Sequence, residues 1–505
     1  MKNLQKSIYV AIGALSLSSV IQVQAQTPTI TQFTGGDLVI STVSDQLHTT
    51  PVAGDLDTAS PIVLQEFQLG TGATSASMVG TLTLPQTSSG PNSAISGEYG
   101  SASEGILEDS ADGKYLTVMG YGVNANTFNT APLSTYGNAS LGQTTSLTGQ
   151  TVTTVPRVVA LIGTNATVDT STALTGVFND NNPRSAATVN GTSFYVSGQG
   201  ANASDGTGGV FYATDGATTA TVINNSTSTP SGNPNGTASA SLGTEARAVE
   251  IVNVNGTNTL LVSRDTKVSG TPNDTTDIRT LTNASGGLPT SATGLVATRT
   301  VPGAASVQGG NTGSIDLTAA LDNNLNSSRN GKFVYLSPEQ FFLASPTVMY
   351  VTDSGAPKNG SANAAALGEG GLQKWDLVSG TWTLQYDLYA GLNLVNNANA
   401  NSGTPTAPGV TGLFGLEGEV VGNQVELFAT SYGLNELSPS FLYEITDTLS
   451  ATTGAGESFT TLYSAPAGTS IRGVAFAAVP EPSAWVLALA GVGVFAFIRA
   501  RRATV

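Results

Sequence analysis

Carboxylates are the residues of this chain whose number and spacing can support acid–base chemistry. The chain has 34 Asp and Glu residues but one histidine, and Glu108, Asp109 and Asp112 cluster around one predicted hairpin turn. Two carboxyl groups that meet in space are the requirement for glycoside hydrolysis. Acids at a hairpin turn are usually solvated, and we expect these three side chains to face water.

A second group of acids lies on a predicted strand in the C-terminal part of the chain. Glu417 and Glu419 alternate along this strand, which places both side chains on one face. Together with Arg472 they would line a central channel. We interpret the group first as a structural ion pair, and a catalytic dyad is the alternative.

Composition restricts the other kinds of catalytic chemistry. The chain has no cysteine, which excludes disulfides, thiolate catalysis, iron–sulfur clusters and thiolate zinc sites. Because His48 is the only histidine, a metal site built from several histidines is excluded. The sequence also lacks the Gly-x-Ser-x-Gly nucleophile elbow. We expect His48 to be a polar loop residue. No P-loop or Rossmann fingerprint supports nucleotide binding.

Two further features are compatible with ligand binding. The oxygen-rich loops FNDNNPR from Phe178 and GDLDT from Gly54 can take a hard cation such as calcium, although neither has EF-hand spacing. Trp375 and Trp382 flank a predicted hairpin turn, where they either pack within the sheet or form a sugar-stacking platform. We expect packing for the tryptophans and no cofactor other than calcium.

The overall composition predicts an all-β protein. Charged residues are 10% of the chain and glycine contributes 59 residues. Gly, Thr, Val and Asn disfavour long helices and favour strands and turns. Between residues 26 and 478, 13 basic residues stand against 33 acidic ones, a formal charge of about −20. This acidity argues against nucleic-acid binding.

Paired strand patterns recur through residues 26–478. Each unit has a hairpin such as EGILEDSADGKYLTVMGYG from Glu104, then a second pair of strands such as GGVFYATDGATTATVI from Gly208. Asp112-Gly113, Asn190-Gly191 and Asn255-Gly256 are two-residue hairpin signals. The second strand of each unit is marked by Val39, Val118, Val196, Val262, Val351 and Phe428. We therefore predict a β-propeller-like body of about six irregular four-stranded units.

The two ends of the body are predicted to pair with each other. SIRGVAFAAV from Ser470 resembles a first strand without a second, and GGDLVIST from Gly35 resembles a second strand without a first. Pairing them in one blade would close the ring and remove its exposed sheet edges. The alternatives are seven blades, a pair of β-sandwiches, or an irregular β-solenoid.

The first 25 residues have the pattern of a secretory signal peptide. Lys2 and Lys6 precede an apolar stretch from Ile8 to Ile21, which predicts a signal helix. Small residues then mark a cleavage site between Ala25 and Gln26. We expect residues 1–25 to be absent from the mature protein.

The last 27 residues read VPEPSAWVLALAGVGVFAFIRARRATV. The uncharged run 484–498 predicts a transmembrane helix, although its 15 residues are fewer than the ~20 that span a bilayer as a straight helix. Snorkelling arginines can extend it. The arginines would stay on the cytoplasmic side, so the body would lie outside the inner membrane. The signal peptide predicts the same topology.

In the order of its three parts, this tail resembles the PEP-CTERM sorting signal of Gram-negative bacteria. The resemblance implies that exosortase, a membrane-embedded cysteine peptidase, is a partner and that the inner membrane holds the chain only transiently. The residues implied for recognition and processing are Pro480, Glu481 and Pro482, and those implied for stop-transfer are Arg499, Arg501 and Arg502. The predicted organisation is a signal peptide at 1–25, an extracytoplasmic propeller-like domain at 26–478 and a sorting signal at 479–505.

The function expected from these features is that of a non-enzymatic scaffold at the cell surface or in the extracellular matrix, associated with the exopolysaccharide of a biofilm. One alternative is an extracytoplasmic polysaccharide hydrolase or lyase with paired carboxylates in the propeller channel. Another is an ice- or glycan-adsorbing protein, for which no regular Thr-x-Thr ladder is evident. A close carboxylate pair in a deep pocket would favour the enzyme over the scaffold.

Overall fold

Short antiparallel strands dominate the structure, as the content of Val, Thr, Gly and Asn predicts. The computed structural model describes residues 27–48, 52–101, 103–202, 204–231, 242–266, 275–302, 337–355, 370–394, 409–433, 437–454 and 456–479. Within these ranges, six four-stranded units are arranged as a six-bladed β-propeller. The prediction of about six units is therefore confirmed, and the alternatives of seven blades, two sandwiches or a solenoid are wrong.

The elements have the following bounds. The first thirteen strands are β1 (Leu38–Ser44), β2 (Ala59–Pro61), β3 (Val63–Leu69), β4 (Ala76–Thr83), β5 (Ser96–Glu98), β6 (Leu107–Asp109), β7 (Tyr115–Tyr121), β8 (Arg157–Gly163), β9 (Val168–Leu174), β10 (Pro183–Ala187), β11 (Ser193–Gly198), β12 (Gly209–Thr214) and β13 (Thr221–Asn225). The others are β14 (Val249–Val254), β15 (Thr257–Thr266), β16 (Thr275–Thr282), β17 (Val296–Pro302), β18 (Pro338–Ser345), β19 (Val348–Asp353), β20 (Gly371–Val378), β21 (Thr381–Leu388), β22 (Val410–Val421), β23 (Gln424–Gly433), β24 (Phe441–Thr448), β25 (Thr460–Ser464) and β26 (Thr469–Phe476). Two short helices are α1 (Ala125–Thr130) and α2 (Leu133–Tyr136), and 3₁₀ turns cover Ala53–Asp55 and Thr71–Ala73.

Each blade is a meander whose first strand lies innermost. Blade 1 has the order β26-β1-β3-β4, and blade 2 is formed by β6 to β9. Blades 3 to 6 follow as β10–β13, β14–β17, β18–β21 and β22–β25. The strands that surround the axis are therefore β26, β6, β10, β14, β18 and β22.

Blade 1 closes the ring by joining the two ends of the described chain. Strand β26 pairs antiparallel with β1, with Leu38 opposite Phe476 and Ser44 opposite Thr469. This is the pairing predicted for SIRGVAFAAV and GGDLVIST. Because β26 pairs with the inner edge of β1, that strand has a partner on both sides.

A hydroxyl on the second strand of each blade ties that blade to the next one. In every case the side-chain oxygen donates a hydrogen bond to a backbone carbonyl at or just before the innermost strand of the following blade. The six pairs are Ser41 to Gly105 (2.7 Å), Thr117 to Ala186, Ser197 to Arg247, Ser263 to Glu339, Thr352 to Phe414 (2.7 Å) and Thr430 to Arg472 (2.6 Å). We call this set the inter-blade hydroxyl ring.

Apolar side chains fill the six interfaces between blades. One cluster lies between blades 2 and 3 and includes Phe178, Phe194 and Phe211, and another between blades 4 and 5 includes Trp375. Trp375 is buried and Trp382 packs against the same cluster, so both tryptophans contribute to packing. The six residues that mark the second strands in the sequence lie on β1, β7, β11, β15, β19 and β23 and are buried.

The predicted turns differ in length. Asn255 and Gly256 have φ values of 50° and 83° and form the two-residue connection between β14 and β15. The prediction of two-residue turns at Asp112-Gly113 and Asn190-Gly191 is wrong, because both pairs lie within longer connections. In the β6–β7 connection, Ser110 and Asp112 side chains bond within the loop and so stabilise a wider turn.

Blade 2 carries an insertion that the repeat pattern does not predict. Strand β2 pairs with β5, and β5 joins β7 through Ser96 opposite Tyr121. Helix α1 is attached to this ladder because the Asn129 side chain donates to the Ala59 carbonyl (2.9 Å) and accepts from the Ala59 amide (2.8 Å). We call β2, β5 and the segment from α1 to the start of β8 the platform.

The predicted terminal segments lie outside the described residues. These are the signal peptide 1–25 with its cleavage site at Ala25 and Gln26, and the tail with its transmembrane helix 484–498. Along the part of the chain that the structure describes, no helix is long and apolar enough to cross a membrane.

Closure by β26 can be tested by truncation. A chain that ends at Pro466 lacks β26, whereas a control chain that ends at Val479 lacks only the tail. The shorter chain should aggregate and unfold at a lower temperature, because β1 gains a free edge and the buried Ile471 and Val474 each contribute roughly 1.5–3 kcal/mol. Thermal unfolding with size-exclusion chromatography measures both effects. Equal stability of the two monomeric chains would contradict this account of closure.

Candidate functional site

Buried charges gather around the propeller axis. They lie on or beside the innermost strands, and the space that these strands enclose is called the axial channel here. The buried ionisable residues in this region include Glu104, Glu108, Arg184, Glu245, Arg247, Glu339 and Arg472. Charged side chains are rarely buried without compensation, so the partners of each one decide its state.

On one side of the channel, arginine and glutamate alternate. Glu245 Oε1 lies 2.6 Å from Arg184 Nη1 and 3.2 Å from Arg247 Nε. Arg247 Nη1 then contacts Glu339 Oε1. Burial by itself raises the pKa of Glu245, but the charges of Arg184 and Arg247 outweigh this effect and lower the pKa below its ordinary value. This chain of ion pairs connects blades 3, 4 and 5.

Three glutamates occupy equivalent positions on alternate blades. Glu108 lies on β6, Glu250 on β14 and Glu417 on β22, each three residues beyond the carbonyl that accepts the inter-blade hydroxyl. We call them the acid trio. Ser185 Oγ donates to Glu108 Oε1 at 3.0 Å, and the Phe476 amide donates to Glu417 Oε2 at 3.4 Å.

Burial and mutual repulsion raise the pKa of each glutamate of the acid trio. Desolvation is the main cause that raises the pKa of Glu108, Glu250 and Glu417 well above the usual range, and neighbouring carboxylates raise it further. Glu108 also bonds the Gln340 side chain. The position of the trio therefore favours the protonated form of each carboxyl more than solvent does.

A cavity lies between the platform of blade 2 and the start of blade 3. It has a volume of about 480 Å³. The platform contributes Asp57, Glu98, Tyr136, Asn138, Ser140, Gln143 and Thr145, and the start of blade 3 contributes Asp180, Asn181 and Asn182. Its wall is therefore rich in carboxyl, amide and hydroxyl groups.

Glu98 is the buried carboxyl of this cavity, with an exposed fraction of 5%. Its Oε2 accepts hydrogen bonds from Ser140 Oγ (3.2 Å) and the Gly142 amide, and its own amide donates to Glu104 Oε1 (2.7 Å). Burial first, and then the charges of Glu104 and Asp57, raise the pKa of Glu98 to about 8. Glu98 is thus an acid poised to hold a proton at neutral pH.

Glu104 is the carboxyl that interacts with Glu98, and it lies beside the axial channel. It bonds the Tyr121 side chain, and Asn182 Nδ2 lies 3.5 Å from its Oε2. Arg472, whose Nη2 donates to the Tyr99 carbonyl at 2.8 Å, offsets part of the desolvation. Burial still prevails and raises the pKa of Glu104.

Arg157 holds the cavity walls in place. Its side chain is fully buried, and Nη2 donates to the carbonyls of Thr144 (2.8 Å), Phe178 (2.9 Å) and Asn181 (3.1 Å). The guanidinium also lies 4.8 Å from the centroid of the Tyr121 ring. One side chain therefore connects the platform to the start of blade 3.

The arrangement can bind a ligand that is rich in hydroxyl groups and can donate a proton to it. Amides and carboxylates pair with hydroxyls as both donors and acceptors. Tyr136 packs against Phe128 with ring centroids 5.0 Å apart, which leaves an aromatic ring at the cavity. A carboxyl with a raised pKa beside other carboxyls is the arrangement of acid-catalysed glycoside chemistry.

The acidic residues named in the sequence analysis differ in their exposure to solvent. Asp109 and Asp112 are exposed, as expected, but Glu108 is 3% exposed. The prediction that Glu108 is solvated is wrong, because β6 is an innermost strand and points it into the channel. Glu419 is exposed, while Glu417 is in the acid trio.

The expected pairing of Glu417 with Arg472 differs from the contacts that the structure gives. Arg472 Nη2 donates to the Tyr99 carbonyl, whereas the carboxylate of Glu417 accepts from the amides of Gly418 (2.7 Å) and Phe476 (3.4 Å). The predicted sorting residues Pro480, Glu481 and Pro482, with Arg499, Arg501 and Arg502, lie outside the described residues.

Sequence reasoning missed Glu98, Glu104 and Arg157. Arg157 is the one basic residue between Lys114 and Arg184 and directly precedes the apolar strand VVALI. An isolated arginine at the start of an apolar strand is the signal that could have identified it as buried. Nothing in the local sequence distinguishes Glu98 or Glu104 from solvated acids.

One group of described residues has the donors and the spacing for a metal ion. It consists of Asp45, His48 and Asp55, outside the cavity. Asp55 belongs to the oxygen-rich loop GDLDT. The other oxygen-rich loop, FNDNNPR from Phe178, forms part of the cavity wall. There Asn179 Oδ1 accepts hydrogen bonds from Thr145 Oγ1 (2.9 Å) and the Ser146 amide (3.0 Å). Calcium binding stays a prediction.

Known structures resemble the chain at low similarity. A gluconolactonase from Xanthomonas campestris has 8% identity and a TM-score of 0.29, with 62% of this chain and 73% of that chain covered. An ancestral GH74 enzyme has 12% identity, a TM-score of 0.34 and coverages of 77% and 40%. The sialidase of Trypanosoma rangeli in complex with sialic acid has 9% identity, a TM-score of 0.34 and coverages of 85% and 54%.

The chain thus spans about half the length of the last two proteins. No curated protein matches it significantly. A family model described as the PEP-CTERM protein-sorting motif matches residues 478–502. The chain therefore carries this sorting motif over the segment in which Pro480, Glu481 and Pro482 predicted it.

Proposed function

We propose that this protein is an exported propeller that binds an extracellular polysaccharide in the cavity beside Glu98. The observation that carries the proposal is the cavity of about 480 Å³ whose wall presents amide, carboxyl and hydroxyl groups. Polysaccharides present many hydroxyls, which need such paired donors and acceptors when water is displaced. Tyr136 supplies an apolar ring for the face of a sugar.

The sorting motif determines the route of the chain to its ligand. A PEP-CTERM motif implies an exported protein that is anchored in the membrane before exosortase processes it. Delivery to the cell surface or the extracellular matrix would place the cavity where exopolysaccharide accumulates. The acidic body and the scarcity of basic residues between 26 and 478 suit a neutral or weakly charged glycan better than a strongly anionic one.

The end of the fold is compatible with removal of the tail. Val479 still donates a backbone hydrogen bond to the Gly113 carbonyl (2.8 Å), and Ala478 is buried. The Pro-Glu-Pro element starts at the next residue. Cleavage at or after residue 480 would therefore leave the closing strand β26 and its contacts intact.

A second candidate function is hydrolysis of the same polysaccharide. Its specific support is the raised pKa of Glu98, which suits a general acid, together with Asp57 and Asp180 in the same cavity. In that role Glu98 would protonate the leaving glycosidic oxygen. One of the two aspartates would act on the sugar as base or nucleophile.

Glycan binding can be tested with Gln143→Ala, which removes an exposed cavity amide without touching the buried carboxyls. Loss of one hydrogen-bonding group should weaken binding of the strain's own exopolysaccharide by about tenfold, or about 1.4 kcal/mol. Calorimetry or a pull-down with purified polysaccharide measures this. The matched control is Gln424→Ala, an exposed glutamine on blade 6. Equal binding by both variants, or no binding by the parent, would refute the proposed site.

The hydrolase candidate is tested with Glu98→Gln, which keeps the shape of the side chain but cannot give up the acid proton. If Glu98 is the general acid, release of reducing ends should fall by roughly 10²–10⁴-fold while binding persists. An unchanged rate in the variant, or no hydrolysis by the parent chain, would leave glycan binding as the function.

The state of Glu98 also predicts a pH dependence of stability. Its folded pKa is about 8 against an ordinary 4.5, so its contribution is fully present below about pH 4.5 and is lost as pH rises toward 8. Glu98→Gln removes this titration, so its melting temperature should fall less between pH 5 and pH 9 than that of the parent chain. Differential scanning calorimetry of the two proteins measures the difference. Parallel curves would mean that Glu98 is ionised in the folded protein.

The sorting route is tested by replacing both Pro480 and Pro482 with alanine. We expect full-length protein to accumulate in the inner membrane, because the recognition element is lost. Mass spectrometry of the exported form should show cleavage after Ala25 and a C-terminal end at or beyond residue 480. Exported variant protein of normal size would rule out exosortase processing through this element.

A further inference from the structure

A cluster of potential metal ligands lies where the chain leaves blade 1. Asp45 and His48 follow strand β1, and Asp55 lies in the 3₁₀ turn that precedes β2. One carboxylate oxygen of each aspartate and a ring nitrogen of His48 lie within 4.8 Å of one another. Three residues that do not line the cavity thus converge on one point.

The hydrogen bonds leave acceptor capacity in this cluster. Asp45 Oδ1 accepts from the amides of Leu47 (2.9 Å) and His48 (3.0 Å), which fixes the turn. Asp45 Oδ2 is shielded from solvent and accepts no hydrogen bond. A buried carboxylate oxygen without a donor is unfavourable, so a cation at this atom would relieve that cost.

Asp55 is oriented toward the same point. Its side chain is only 7% exposed, and its Oδ2 contacts His48 Nδ1. His48 itself is 56% exposed, so a metal ion has direct access from solvent. The Thr58 amide and hydroxyl bind the Asp55 carbonyl at 3.2 and 2.6 Å, which holds the 3₁₀ turn against the start of β2.

We propose that Asp45, His48 and Asp55 bind one divalent transition-metal ion, with zinc as the best fit. One imidazole nitrogen and two carboxylate oxygens form a donor set that suits Zn²⁺, and His48 excludes the all-oxygen set that Ca²⁺ prefers. Solvent would complete the coordination on the exposed side of His48. His48 lies in the loop after β1, so a role as ligand would add to the expectation of a polar loop residue.

The ion would connect blade 1 to the platform. Asp45 lies directly after β1, whereas Asp55 leads into β2, whose partner β5 carries Glu98. Tyr99, the residue after Glu98, donates its amide to the Thr58 carbonyl (2.9 Å). A bound metal would therefore hold the strand pair that carries the cavity acid against the blade that closes the ring.

The test uses the purified exported protein after treatment with a chelator. Titration calorimetry with Zn²⁺ should give one site, Co²⁺ should produce visible d–d absorption, and Zn²⁺ should raise the melting temperature. Asp45→Asn, which can keep the turn bonds, and His48→Gln should each weaken Zn²⁺ binding at least tenfold. The matched control is Asp112→Asn, because Asp112 Oδ1 also accepts bonds within an exposed turn.

Three outcomes would overturn the site. They are no binding of Zn²⁺ or Co²⁺ to the parent protein, equal affinity of the parent, Asp45→Asn and His48→Gln proteins, or Ca²⁺ binding that ignores the loss of His48. The readouts do not depend on glycan binding or hydrolysis. Failure of this site would therefore leave the proposed function untouched.

Discussion

The inter-blade hydroxyl ring is the interaction on which the rest of this structure depends. A Ser or Thr on the second strand of each blade donates to a carbonyl at the entry of the next innermost strand, and the pattern holds six times. A hydroxyl that is buried between sheets needs a partner, and a strand carbonyl at the interface needs a donor. Each bond therefore sets the height of one innermost strand relative to its neighbour. The last bond, from Thr430 to Arg472, includes the closing strand in the same register.

This register decides which charges meet at the axis. Residues at the height of the ring include Arg247 and Arg472, and residues three positions further include the acid trio. The first level is compensated by arginine–glutamate pairs, whereas at the second level burial and the neighbouring carboxylates raise the pKa of each glutamate. Buried ion pairs add little net stability but are costly to break. The buried charges of the axial channel are thus part of the packing of the fold. The polar groups that a ligand can reach lie in the cavity beside the platform.

The local part of the fold was readable from the sequence, and the candidate site was not. Alternating apolar residues and turn dipeptides such as Asn255-Gly256 act between neighbours, so hairpins, blades and the closing pair were predicted. The burial of Glu108 was missed because its hairpin looks like any solvated turn until β6 is placed at the axis. Glu98 and Arg157 were missed for a related reason. Glu98 lies in the insertion that breaks the repeat and Arg157 starts the regular strand β8, but their partners at Ser140, Asn181 and Phe178 are distant in sequence.

The sequence by itself determined the strand content, the number of blades, the closing pair and the sorting motif, because each is carried by contiguous residues or by a short repeat. Tertiary structure alone decided which carboxyls are buried, which have a raised pKa and which share a cavity. The physical reason is that a pKa depends on desolvation and on charges from other strands, and metal ligands need only converge in space. His48 illustrates the difference: in the sequence it is a lone histidine, and in the folded chain it lies between Asp45 and Asp55.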